Sequence, residues 1–140
     1  MSDCAGFEAV EHTGDLAIRA WATDMSGLIE QAARAMLDLM LEDPPNVART
    51  VELRAEGPEG EDLLIDCLRS ILSLIDLEGL VPVTVEVTEL EGEEAVCEVG
   101  VVPLEEARQA LVEDIKAVTY HGLEIRKREG NLEVEIVFDV

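Results

Sequence analysis

Carboxylates are the chemistry this chain has most of: Asp and Glu number 32 against 10 Lys and Arg in 140 residues, and there are two histidines, His12 and His121. Among so many acids any two can look paired, so composition alone describes a solvated acidic face. Position is more selective. Asp139 is the penultimate residue, beside the terminal carboxylate of Val140, and Asp15 closes the turn His12-Thr13-Gly14-Asp15. Two anionic groups crowd at the end of the chain. Bringing Asp15 there would add a third, and like charges at contact distance demand a cation, a protonated acid, or a basic residue such as Lys116 or Arg19. Carboxylate and carbonyl oxygens suit hard cations, so a calcium or magnesium site is the chemistry these acids favour. The histidines flank glycine-containing turns and could supply general acid–base chemistry near neutral pH. Their plainer role is to hydrogen-bond turn backbone and order the loops that present Asp15 or Lys116.

Other chemistries find no support. The sequence has no phosphate-binding glycine loop, dinucleotide fingerprint, nucleophile elbow or metallohydrolase helix. Cys4, Cys67 and Cys97 are odd in number and far apart, which argues against a disulfide framework or zinc site and for buried thiols. The formal net charge of -22 repels free nucleic acid, because phosphate binding needs Lys and Arg contacts that release counterions. A basic partner or concentrated salt would account for that charge. Lysine occurs only at Lys116 and Lys127, and arginine is preferred elsewhere. The uncharged apolar runs fall far short of the ~20 residues that span a bilayer. Met1-Ser2-Asp3-Cys4 lacks the features of a secretory signal, so no membrane contact and a cytoplasmic location are expected.

The elements that must position these groups follow from periodicity. A length of 140 residues and a hydrophobic fraction of 48% predict one domain, residues 1–140. Phe7 to Val10 and Leu16 to Trp21 read as strands, sequential or in a hairpin about Gly14, with Asp15 pointing away from the Leu16, Ile18 and Ala20 face. From Met25 the spacing becomes helical, capped by Asp24 and stopped by Pro44 and Pro45. Val51 to Ala55 alternates as a strand. A second helix is expected over Glu61 to Glu78, ended by Gly79, with Asp62, Asp66, Arg69, Ser73 and Asp76 as a polar stripe on an otherwise apolar cylinder. Such a narrow stripe implies deep burial. Strands then follow at Val81 to Leu90 and Ala95 to Val102, and one helical turn is expected in Leu104 to Glu113. Ile115 to Tyr120, Leu123 to Lys127 and Leu132 to Phe138 read as strands, the last two as a hairpin through Glu129-Gly130-Asn131. On the final strand Asp139 shares a face with Glu133 and Glu135, away from the core. The order predicts an α+β fold: two main helices packed on a mostly antiparallel β-sheet or sheet pair, in a single compact domain.

Three segments, His12-Thr13-Gly14-Asp15-Leu16-Ala17-Ile18, Lys116-Ala117-Val118-Thr119-Tyr120-His121 and Val137-Phe138-Asp139-Val140, resemble the archease family, and the likeness spans nearly the whole chain. The resemblance implies an accessory protein of tRNA splicing that activates an RtcB-type RNA ligase by promoting guanylylation of its active-site histidine and multiple turnover, without ligating RNA itself. It further implies a divalent-metal site at Asp15, Asp139 and Val140, calcium first, with magnesium or manganese as alternatives, and a supporting role for Lys116. No residue of this chain is then catalytic. Gly14 and Leu16 depart from the usual alanine and valine of the family. Two rival readings remain: a chaperone or modulator of another RNA-modifying enzyme, and a stand-alone metal-dependent phosphoester hydrolase using Asp15, Asp139 and His121.

Overall fold

The computed structural model describes residues 5–12 and 14–140, with the backbone alone for Glu11 and His12. Expectations that fall on Cys4, Thr13 and the His12 side chain lie outside the described residues.

Strands β1 (Gly6–His12) and β2 (Asp15–Ala22) pair antiparallel with His12 opposite Asp15, so the first two strands are a hairpin. Gly14 takes φ 77°, the left-handed conformation that glycine reaches without a Cβ clash. Helix α1 (Met25–Met40) begins where expected, the Asp24 carboxylate accepting from the Gly27 N–H at 2.8 Å. It ends at Met40, four residues before Pro44. Tertiary pairing, not proline, stops it: the Glu42 N–H donates to the Ala110 carbonyl and the Val112 N–H to the Met40 carbonyl, both at 2.8 Å.

Strand β3 (Arg49–Glu56) is followed by α2 (Gly60–Glu78), which closes with Gly79 at φ 64° donating to Ile75 and Leu74 carbonyls. Strands β4 (Leu80–Glu91) and β5 (Glu94–Pro103) form a hairpin across Gly92. A short helix, α3 (Leu104–Ala107), leads into a single 3₁₀ turn (Arg108–Ala110), the helical turn the sequence anticipated. Only Ala117–Val118 of the Ile115 to Tyr120 segment is a strand, β6, and β7 is Arg126–Arg128. Both are shorter than periodicity suggested. The chain instead makes a tight turn at Tyr120–Leu123, with Gly122 at φ 64°. Strand β8 (Asn131–Asp139) pairs with β7 through Glu129 and Gly130, both at positive φ, a two-residue hairpin of the twist-compatible kind.

These strands make two sheets, one in the order β1-β2-β8-β6 with β7 also on β8, the other β3-β5-β4, and every pairing is antiparallel. Ile18, Ala20, Val134, Ile136 and Phe138 face inward from the first sheet, and Ala95, Cys97 and Val99 from the second. Leu28, Ile29, Met36, Leu64, Leu68 and Ile71 of the two long helices join them in one core cluster. This large cluster, shared by both sheets and both long helices, makes an α+β domain as the pattern predicted, and Val81, Val102 and Ala107 form a small second cluster. The stripe on α2 is not simply wet. Asp66 accepts from the Glu56 N–H at 2.9 Å, and Arg69 donates to the Val118 carbonyl at 3.0 and 3.3 Å. The stripe ties α2 to strands of both sheets.

Candidate functional site at one end of the five-stranded sheet

Register decides what meets at the end of this sheet. The last pairing between β2 and β8 is Leu16 with Phe138, so one step beyond it Asp15 and Asp139 stand across from each other. Residues opposite on neighbouring strands share a face with Cβ atoms about 4.5–5.5 Å apart. Here that is the face away from the core, since Phe138 on the other side is fully buried while Asp15 and Asp139 are exposed. On its far side β8 pairs with β6, Ala117 opposite Asp139, and the Lys116 N–H donates to the Asp139 carbonyl at 2.8 Å. Three segments, those carrying Asp15, Lys116 and Asp139, therefore converge, the first of them far in sequence from the other two, with Val140 next in line and exposed.

Lys116 lies one step before Ala117, which pairs with Asp139. Lys116 itself precedes β6, and its side chain is exposed. Among the described residues Lys116 makes no ion pair, and its link to Asp139 is through backbone. Arg19, the other basic residue considered beside Asp15, is committed elsewhere: it pairs with Glu8 and, at 3.6 Å, with Glu133. The His12 backbone pairs with that of Asp15, and His121 is exposed on the Tyr120–Leu123 turn, its N–H donating to Thr119 Oγ1 at 3.3 Å.

Sequence reasoning missed the residues that hold this end in place. The Thr119 N–H and hydroxyl both donate to the Val137 carbonyl, at 3.1 and 2.9 Å. Tyr120 donates its hydroxyl to Asp62 at 2.9 Å, and the Arg69 guanidinium lies 5.3 Å from its ring centroid while binding Val118. Partial burial first, then the Asp62 carboxylate, pushes the Tyr120 phenol above its ordinary range. The signal was available in α2, whose apolar surround left Asp62 and Arg69 as polar groups in need of partners. Beside Lys116 a groove of about 590 Å³ runs between α2 and residues 111–118, with Leu72, Val112 and Val118 on its walls.

The Asp15 and Asp139 carboxylates are hard oxygen donors, the kind calcium and magnesium take, and their shared face makes them compatible with such an ion. Among the described residues no three or more His, Cys, Asp or Glu side chains gather as a ready metal cluster. A cation held at this tip would thus need further oxygen donors beside the two aspartates, from main chain, water or a partner.

Fold and site together define a small two-sheet α+β protein with exposed carboxylates at one end of its larger sheet. The chain belongs to the Archease protein family (MTH1598/TM1083), whose sequence profile matches residues 7–140. Protein archease of Methanopyrus kandleri is 34% identical over 138 residues, covering 96% of this chain and 99% of that one. The archease-like protein of Drosophila melanogaster is 30% identical, covering 96% and 90%. The solution structure of Methanobacterium thermoautotrophicum protein 1598 superposes with a TM-score of 0.71 at 27% identity, covering 96% and 99%. The Thermotoga maritima archease, whose description reads "possible chaperone", shares the fold with a TM-score of 0.66 at 24% identity, covering 95% and 96%. Family membership supports an accessory role toward a partner. No helix among the described residues is long and apolar enough to cross a membrane.

Proposed function

We propose that this chain activates an RtcB-type tRNA-splicing RNA ligase, promoting guanylylation of the ligase and its multiple turnover through a divalent-cation site at Asp15, Asp139 and Val140. The observation that carries the reading is the register that sets Asp15 and Asp139 opposite each other on an exposed sheet end, beside Lys116 and Val140. Family membership supplies the context. A bound cation, calcium first, with magnesium or manganese as alternatives, would neutralise the crowded carboxylates and supply positive charge at the developing phosphoryl centre. The chain's own residues do the rest. Asp15 and Asp139 orient their oxygens outward because the core face is taken by Phe138 and Ile136. Lys116, anchored to the Asp139 backbone, offers a mobile cation at the rim for phosphate or acidic groups of the partner site. The body of the protein repels free RNA by charge, so RNA is handled by the ligase alone.

The test pairs the folded chain with the ligase and follows multiple-turnover RNA joining. Asp15→Asn and Asp139→Asn are expected to lower turnover at least tenfold and to abolish calcium uptake measured by calorimetry on the isolated chain, with thermal unfolding little changed. Lys116→Ala is expected to lower turnover while leaving calcium uptake intact. Undiminished turnover by both aspartate variants would sink the proposal. Recovery of a methyltransferase or another modifying enzyme in place of a ligase, in capture from native lysate, would move the reading to a modulator of that enzyme.

A further inference from the structure

Away from the tip, the core contains one pair of groups that packing alone does not explain. Cys67, on the inner face of α2, and Cys97, in the central strand of the three-stranded sheet, place their Sγ atoms 3.2 Å apart, in a hydrogen bond with each other. Both are free thiols, and they are 2% and 0% exposed. Thiols treated as small hydrophobes need no such contact. The hydrogen bond from Cys67 holds the Cys97 thiol below its ordinary range; the same bond, then burial, pushes Cys67 up. One thiolate in the pair is thereby favoured over two. A disulfide needs its sulfurs roughly 2.05 Å apart, about one ångström closer than here. The two residues sit on different elements, 30 positions apart in sequence.

We propose that Cys67 and Cys97 form a dithiol oxidation site, at which a small peroxide closes an intrachain disulfide that fastens α2 to strand β5. In the first step the Cys97 thiolate sulfur attacks one oxygen of hydrogen peroxide, the O–O bond breaks, and water leaves after taking a proton, giving a sulfenic acid. Cys67 then loses its proton and attacks Cys97 Sγ, the S–O bond breaks, and a second water leaves. The two thiols lose two electrons to the peroxide, which is reduced to two waters. Burial selects for a small oxidant that enters when α2 opens locally, and the neighbouring thiol intercepts the sulfenic acid before it oxidises further. Because the disulfide closes a loop in the unfolded chain while asking little of the folded one, it raises resistance to unfolding.

The experiment uses the chain with Cys4→Ser, which leaves Cys67 and Cys97 as the two thiols. After exposure to hydrogen peroxide the protein is denatured, alkylated with iodoacetamide and weighed, and its peptides are mapped. The expected product is unalkylated, lighter by about 2 Da, contains a peptide pair joining Cys67 to Cys97, and melts roughly 10 °C higher. Dithiothreitol restores the starting mass and melting temperature. Two alkylated thiols after exposure long enough for α2 amides to exchange would overturn the proposal. So would sulfinic acid on either sulfur as the main product, or a disulfide-linked form that melts lower than the dithiol. Peptide mapping of the unsubstituted chain must give the same Cys67–Cys97 link. A link through Cys4 instead counts against it.

Discussion

At the scale of single residues, Tyr120 reports on the tip most cleanly, because it is the chain's one tyrosine. Its phenol is raised by partial burial and by the Asp62 carboxylate. A raised folded value means the neutral phenol is favoured by the fold. The associated stability is present below the unfolded value of about 10 and is lost as pH rises through the folded one. Absorbance titration near the phenolate band is expected to show a midpoint above that of denatured protein. Asp62→Asn is expected to bring it back toward the ordinary value, and a midpoint unmoved by that change would show that the hydrogen bond to Asp62 contributes little. The same residue scale holds Asp15 and Asp139, whose types and positions could be read from sequence. Their adjacency could not, because it depends on a pairing between strands more than 100 residues apart.

At the scale of elements, α2 acts as the strut for the tip. Arg69 binds the Val118 carbonyl twice and covers Tyr120, so the short β6 is held between α2 and β8. Arg69→Met keeps much of the apolar stem but leaves that carbonyl without its charged partner, at an expected cost of about 1 kcal/mol. Amide exchange provides the sharper measurement. The Lys116 and Thr119 amides, which donate to β8, are expected to exchange faster in the variant, while amides in the β1–β2 hairpin keep their rates. Equal acceleration everywhere would show a general loss of stability instead of local loosening. The polar stripe on α2 was visible as a 3.6-residue pattern, but its partners were not, since a pattern says which side of a helix is polar and nothing about what lies opposite. The end of α1 agrees with the last apolar position of its period, Met40, but what holds it there is not local. Prolines at 44 and 45 gave a local stop signal, whereas the 110–112 segment captured the chain at Met40 by hydrogen bonds.

At the scale of the whole molecule, charge dominates. With 32 acids against 10 basic residues, the folded chain concentrates repulsion that the unfolded chain can spread out. Raising potassium chloride from about 0.05 to 1 M shortens the screening length from over 10 Å to about 3 Å. The melting temperature is expected to climb over that range by several degrees, and calorimetry at fixed pH measures it directly. A flat or falling profile would point to the few ion pairs, such as Arg19 with Glu8 and Glu133, as the larger electrostatic influence.

The sequence by itself determined the inventory and the local geometry. Caps at Asp24 and Gly79, glycine turns at Gly14 and Gly130, alternation in β2 and β8, and a helical period in α1 and α2 all arise from forces acting within a few residues. It also determined, through alternation alone, that Asp15 and Asp139 leave the core. Tertiary structure decided which strands neighbour which, and therefore that β8 runs between β2 and β6 and brings Asp15, Asp139 and Lys116 to one end. It likewise tied the Lys116 backbone to Asp139 and set Cys67 against Cys97. Those outcomes depend on how one shared core is filled by two sheets and two helices. Contacts of that kind are non-directional and long in sequence, so no local period records them.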